Sequence, residues 1–163
     1  VGGNVGRPRA AFRRALGSLL PFLSNPRLSG LYRTSPVGGP PQPDFLNAVV
    51  VGETRLAPLE LLGLLKRLER ESGRRPGGPR NGPRPLDLDL LLYGARRVSL
   101  RHLRVPHPRM TRRLFVLVPL AELTPERVVP GTSKTVARLL LEESSRLAAD
   151  VTLRRVSWRT VTA

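Results

Sequence analysis

At 163 residues the chain is long enough for one domain with a real core, and no apolar run nears the roughly 20 residues of a membrane span. It has no cysteine, which excludes disulfides, thiolate metal sites and a Cys nucleophile together. Lys plus Arg number 28 against 12 acids, a formal +16, which suggests a polyanionic partner, either nucleic acid or a nucleoside triphosphate. All those cations except Lys66 and Lys134 are Arg, a skew that a GC-rich or thermophilic source would also produce. No secretory leader pattern opens the sequence, so a cytoplasmic protein is the expectation.

Val1-Gly2-Gly3-Asn4-Val5-Gly6 reads as a glycine-rich turn. Such a turn normally follows a strand, expected here to be either shortened or absent, and it is too short for a phosphate loop of the Gly-Lys-Ser/Thr type. Pro8 suits a first helical position, and Phe12, Ala15, Leu16, Leu19, Leu20 and Leu23 follow at helical spacing, with Arg9, Arg13 and Arg14 off that face. This predicts a helix from Pro8 to Leu23, ended by Asn25-Pro26. Leu28 to Thr34 reads as a strand. Ser35 to Pro43 is a loop by composition, either a linker or a functional loop; too little chain precedes it for a separate domain. Phe45 to Thr54 is apolar and β-branched, hence a strand. Asn47 interrupts it, and a sheet-edge amide bonded to backbone is its plainest reading. Pro58 opens a second helix to about Ser72, with Leu61, Leu62, Leu65 and Leu68 as its buried stripe. Gly73 to Gly82, with Arg74, Arg75 and Arg80, is either a surface loop or a flap over an anion.

The most informative stretch is Gly82-Pro83-Arg84-Pro85-Leu86-Asp87-Leu88-Asp89-Leu90-Leu91-Leu92-Tyr93-Gly94. The prolines make a stiff entry to a strand over Leu86 to Tyr93. Leu86, Leu88, Leu90 and Leu92 share one face; Asp87, Asp89, Leu91 and Tyr93 share the other. The two carboxylates then point the same way, roughly 6.5 to 7 Å apart along the strand. Burying like charges that close is costly without a counter-charge, and Mg²⁺ bridging carboxylates and phosphates would supply one. Arg84 could grip a phosphate bidentately. An edge strand with a solvated Asp pair is the plainer alternative, against which the four leucines argue.

Gly94-Ala95 turns into Arg97 to Leu100, read as a hairpin partner of that strand. Val105-Pro106-His107-Pro108 is rigid and places His107 between prolines, either at a site or simply at the surface. Arg112-Arg113 leads into the apolar run Leu114 to Leu120, where Phe115 is either core or site. Thr135 to Glu143 reads as a short helix, and Asp150 to Thr162 as β-like and basic. No internal repeat is present. The order suits a single α+β domain over residues 1–163, a ferredoxin-like sandwich of mainly antiparallel sheet with helices packed on one face.

With these residues in view, the chain resembles the hydroxymethyl-dihydropterin pyrophosphokinase family of folate biosynthesis. The resemblance runs from Gly3-Asn4 to about Pro130. It is strongest over Arg80 to Leu91, with support from Tyr32 to Pro36, Gln42 to Asn47, Glu69 with Gly73-Arg74, and Val105 to Met110. It implies an ATP- and Mg²⁺-dependent transferase that moves the β,γ-pyrophosphoryl unit of ATP to the hydroxymethyl group of 6-hydroxymethyl-7,8-dihydropterin and releases AMP. It implies that Asp87 and Asp89 hold two Mg²⁺ ions and, with Arg74 and Arg84, carry catalysis. Glu69, Arg74, Arg84, His107 and Arg113 are implied around ATP. Thr34, Ser35, Val37, Phe45, Asn47, Asp87 and Phe115 are implied around the pterin, the two phenylalanines stacking on the ring. The chain departs from some relatives at Asn81 (Trp there), Pro108 (Tyr) and His102 (near an Arg position).

Two other classes fit part of this reading. A basic ferredoxin-like RNA-binding module fits the charge, but the strands lack the paired aromatics such modules use to stack bases. A Mg²⁺-dependent nucleotidyltransferase would also use an Asp-x-Asp strand, but would release inorganic pyrophosphate rather than AMP. The expected partners are thus ATP and the reduced pterin alcohol, with no nucleic acid, no membrane and a monomeric state.

Overall fold

A computed structural model of the chain describes residues 1–74, 77, 81–146 and 152–158. β1 (Gly2–Gly3) leads into α1 (Pro8–Leu19), which begins with Pro8 in its first turn. The helix stops earlier than its apolar spacing predicts. Pro21 has no N–H to extend the ladder, so Leu20–Phe22 tightens into a 3₁₀ turn. Phe12, Ala15 and Leu19 are buried, while Leu20 is exposed.

The predicted strands 28–34 and 45–54 are each broken in two, giving β2 (Ser24–Leu28), β3 (Leu31–Thr34), β4 (Phe45–Asn47) and β5 (Val50–Glu53). They form one antiparallel ribbon with a slip. Leu28 pairs with Val50, but four residues on, Tyr32 pairs with Asn47, only three residues back. Ser29 fills the slip: its backbone N–H bonds Val49 O at 3.0 Å and its hydroxyl accepts from Val49 N at 2.9 Å. Ser24 pairs with Glu53, so β2 also starts earlier than the Asn25-Pro26 breaker predicts, with Asn25 in the left-handed region (φ 49°).

α2 (Pro58–Glu71) starts on Pro58, with Glu60 accepting the Ala57 N–H at 2.7 Å. It buries Leu61, Leu64, Leu65, Leu68 and Glu69; Leu64 rather than Leu62 completes the stripe, being a turn away from Leu61 and Leu68. Beyond the flap region, β6 (Val98–Leu100) and β7 (Leu103–Val105) pair with each other. Residues 97–100 are therefore not the hairpin partner of the Asp-x-Asp stretch, because a turn at Arg101-His102 folds them onto β7 instead. α3 (Leu114–Leu123), β8 (Val128–Val129), β9 (Lys134–Thr135), α4 (Val136–Arg146) and β10 (Leu153–Val156) follow. The last helix runs one turn further than predicted. Of the β-like tail, residues 159–162 and 150–151 lie outside the described residues.

The main sheet has the order β1-β4-β3-β10, all pairs antiparallel. Strand alternation sends Leu31, Leu46 and Ala48 to one side, where α1 and α2 close a core with Phe12, Leu61, Leu65 and Leu68. Val49 goes to the other side, into a second core with Met110, Val116, Leu117, Leu120, Val136 and Leu139. Tyr32 there donates to Glu122 on α3 at 3.0 Å. Helices thus cover both faces rather than one. The part of this second face left open by α3 carries Thr34, Phe45 and Asn47.

The Asp-x-Asp stretch is extended but is not a strand over Leu86 to Tyr93. Asp87 alone bridges a neighbour: it exchanges both backbone hydrogen bonds with Gly2, at 2.7 and 2.8 Å. Farther on, residues 88–94 and β5 both line a cavity of about 640 Å³, and no ladder joins them. The expected faces hold for Leu86, Leu88 and Leu90, which join the first core. Leu92 departs, packing with Leu91 on the second core, and Tyr93 turns to the first.

Candidate active site

A cavity of about 330 Å³ opens on the second face of the sheet. Thr34, Ser35 and Val37 line it from the end of β3 and the following loop, Phe45 and Asn47 from β4, and Asp87 and Asp89 from the extended stretch. Arg113 and Phe115 line it from the start of α3, so the positive end of that helix faces the same space. All seven residues read as pterin-side from sequence therefore share one cavity, together with Arg84, Asp89 and Arg113. Glu69, Arg74 and His107 do not line it.

Asn47 is buried and its Nδ2 donates to Thr34 Oγ1 at 2.8 Å. Its partner is thus a side chain on the next strand, not the backbone of a sheet edge, and β4 is an inner strand. The Thr34 hydroxyl keeps its own proton to donate. Phe45 and Phe115 each carry a guanidinium: Arg84 lies 5.4 Å from the Phe45 centroid and Arg113 lies 5.3 Å from that of Phe115.

Asp87 is held between two arginines. Its Oδ1 accepts from Arg74 Nη1, and its Oδ2 lies 3.2 Å from Arg84 Nε. That second pair is Coulombic only, since Arg84 Nε is buried without a hydrogen bond. Burial pushes the Asp87 carboxyl up, but Arg84 and then Arg74 outweigh it and hold it below the usual carboxylate range. Arg74 and Arg84 thus both supply counter-charge to Asp87. Asp89, by contrast, is exposed.

Glu69 lies beneath this pair. It is 3 % exposed, and its Oε1 accepts from Leu88 N at 2.7 Å, Arg74 Nη1 at 2.6 Å and Lys66 Nζ at 2.9 Å. Its place in the structure is to anchor the peptide between the two aspartates and to aim Arg74. His107 sits beside the site; its backbone N–H donates to Leu91 O at 2.9 Å and its ring Nδ1 accepts from Arg109 N at 3.2 Å. Burial lowers its pKa; Asp89 opposes this, while Arg113 and Arg109 add to it. Arg75 and Arg80, part of the expected flap, lie outside the described residues.

Sequence reasoning missed four contributors. Arg109 and Arg112 also line the cavity; Arg109 stands in the Val105 to Met110 segment of the resemblance and Arg112 in a basic pair with Arg113, but the sequence reading gives neither a role. Asn4 is buried, donating to Gln42 Oε1 at 2.9 Å and Pro43 O at 3.0 Å and accepting from Arg84 N at 2.9 Å. Gln42 donates to Asn81 O at 2.7 Å. Nothing in the local sequence of either amide announces contacts tens of residues away.

Two carboxylates on one side of the cavity offer hard oxygen ligands suited to Mg²⁺. Among the described residues no group of three or more acidic, His or Cys side chains could enclose an ion. The protein-side donor set therefore fits an ion whose remaining ligands are phosphate oxygens and water.

Comparison with known proteins points the same way. The model of the 7,8-dihydro-6-hydroxymethylpterin-pyrophosphokinase family matches residues 1–125. The chain is 43% identical over 132 residues to the 2-amino-4-hydroxy-6-hydroxymethyldihydropteridine pyrophosphokinase of Pseudomonas aeruginosa, covering 80% of this chain and 81% of that protein. It is 42% identical over 142 residues to the Synechocystis protein of the same name, covering 86% and 72%. It is 47% identical over 124 residues to a folate synthesis bifunctional protein of Arabidopsis thaliana, covering 76% of this chain but only 26% of that protein, so it spans about a quarter of the plant relative. The chain belongs to the 7,8-dihydro-6-hydroxymethylpterin-pyrophosphokinase family.

Proposed function

We propose that this chain transfers the β,γ-pyrophosphoryl unit of ATP to the hydroxymethyl oxygen of 6-hydroxymethyl-7,8-dihydropterin, a step of folate synthesis. The observation that carries this reading is one cavity that joins two aromatic rings and a buried amide to an Asp pair and several arginines. The flat pterin stacks between Phe45 and Phe115, while Asn47, braced by Thr34, hydrogen-bonds its edge. Ser35 and Val37 complete that end. The hydroxymethyl oxygen attacks the β-phosphorus; its new O–P bond forms as the bond to the AMP oxygen breaks, and the hydroxyl proton leaves to solvent. Negative charge grows on phosphate oxygens, and Arg84, Arg113 and Arg74 stabilise it with little covalent work by the protein. His107 adds a neutral donor beside the triphosphate.

Mg²⁺, taken as two ions, would be held by Asp87 and Asp89 and would neutralise charge between those carboxylates and the triphosphate. Arg74, held against Asp87 by Glu69, would be a further cation for the phosphates that such ions bring to the carboxylates.

The same reading extends to the architecture and setting: a single ferredoxin-like domain over residues 1–163, acting as a cytoplasmic monomer. The antiparallel order β1-β4-β3-β10 with α1 and α2 on one face supports the first part. No helix among the described residues is long and apolar enough to cross a membrane. Incubation with ATP, Mg²⁺ and the reduced pterin alcohol, followed by separation of the nucleotides, tests the reaction. Pterin-dependent AMP is the expected product. ADP, inorganic pyrophosphate or pterin-independent turnover would overturn it.

A further inference from the structure

Two amide side chains tie together the two halves of the cavity, and the mechanism above uses neither. Asn4 uses both amide donors and its carbonyl oxygen within the protein. Its Nδ2 donates to Gln42 Oε1 at 2.9 Å and to Pro43 O at 3.0 Å, and its Oδ1 accepts from Arg84 N at 2.9 Å. Its own backbone N–H bonds Arg84 O at 2.9 Å, so the Arg84 residue is clamped at both its N–H and its C=O. Gln42 relays the tie onward, donating from Nε2 to Asn81 O at 2.7 Å. A second contact reinforces it: Gly39 lies so close to Asn81 that an added Cβ would stand 2.7 Å from the Asn81 carbonyl oxygen.

The segments joined are those that carry the two ligand sites. Pro43 is two residues before Phe45, which faces the pterin end. Arg84 carries the guanidinium that lies over Phe45 and beside Asp87. We propose that Asn4 and Gln42 are positioning residues, an amide clasp through which filling the ATP end of the cavity tightens the pterin end, and the reverse. The proposal rests on the pyrophosphokinase reading above. A clasp of this kind needs a donor and an acceptor on one short side chain. Asp at position 4 would keep the acceptor for Arg84 N but face Gln42 Oε1 and Pro43 O with a second acceptor. Glu at position 42 would likewise turn an acceptor toward Asn81 O.

Calorimetric titration of the full chain with a pterin analogue lacking the hydroxyl tests this, run with and without saturating Mg²⁺ and a non-hydrolysable ATP analogue. The ratio of the two pterin dissociation constants is the coupling. The native chain is expected to bind the pterin more tightly when the nucleotide is present. Gln42→Glu, which loses only the bond to Asn81 O, should cut that ratio about fivefold, the weight of one neutral hydrogen bond; Gln42→Ala, which also loses the bond from Asn4, should cut it further; and both should leave affinity for the nucleotide alone within about twofold. Asn4→Asp should cut it further; if that variant does not fold, the two Gln42 variants decide. An unchanged ratio in both Gln42 variants overturns the proposal, as does an equal loss of both separate affinities, which would mark a purely structural role. A native chain that binds both ligands without coupling also overturns it while sparing the reaction. A native chain that binds neither overturns the pyrophosphokinase reading and this inference with it.

Discussion

Glu69 on α2 accepts the backbone N–H of Leu88 at 2.7 Å, so a helix side chain takes the place a neighbouring strand would hold between Asp87 and Asp89. The same oxygen aims Arg74 at Asp87. Glu69→Ala would leave a buried N–H without a partner and release Arg74. That should lower stability by about 1 to 3 kcal/mol. In a chain of this size the melting temperature should fall by roughly 3 to 10 °C. Thermal melts of the two proteins check this, and kcat should fall with them because the peptide between the aspartates is no longer held.

The two aspartates should be equally necessary for turnover, though they differ in setting. Asp87 is ion-paired and Asp89 is exposed. Asp87→Ala and Asp89→Ala should each reduce kcat by about a hundredfold or more, the scale seen when a preorganised electrostatic contact to a transition state is lost. Circular dichroism should remain native in both. Near-native AMP production by either variant would remove that residue from the reaction.

Gly3 is required by close backbone approach. A Cβ there would stand 2.5 Å from the Pro85 carbonyl oxygen and 3.2 Å from Phe12 Cε1. The obstructing atom is backbone, so relief means moving the stretch that carries Arg84 and Asp87. Gly3→Ala should destabilise by about 1 to 3 kcal/mol. It should also lower kcat more than it raises KM for ATP, which steady-state kinetics would resolve.

His107 gives the site a pH dependence with a definite sign. Its pKa is lowered in the folded chain, with burial as the main cause, while the unfolded chain titrates near the ordinary value of about 6.5. Between these two values the unfolded chain binds more protons, so stability falls as pH drops through about 6.5 toward the folded value. Protonation of Nδ1 would also displace the Arg109 N–H it accepts. His107→Gln should flatten this part of the stability profile, measured by denaturant titration from pH 7.5 to 5. An unchanged slope would show that another group is responsible.

Much of the site was legible because its chemistry is concentrated in short strings. Asp87, Asp89 and Arg84 stand within six residues, and alternation alone puts the two carboxylates on one side with Leu86 and Leu88 opposite, as the first core bears out. Helices α1 and α2 were readable from Pro8, Pro58 and their leucine spacing, because a helix is a local structure whose signal lies within a few turns. What stayed hidden depends on partners distant in sequence. Whether Leu86 to Tyr93 forms a strand is decided by what lies alongside it. Gly2 pairs with Asp87, and no strand is laddered to residues 88–94. The break at Ser29 arises from a register slip against Val49, and the partner of residues 98–100 from the turn at Arg101-His102. Side-chain chemistry named Asp87 and Asp89 as a charged pair, but only the folded chain brings Arg74 and Glu69 to them and joins Asn4 to Gln42, Pro43 and Arg84. Hydrogen-bond partners dozens of residues apart leave no periodicity in a sequence, and packing alone chooses among them.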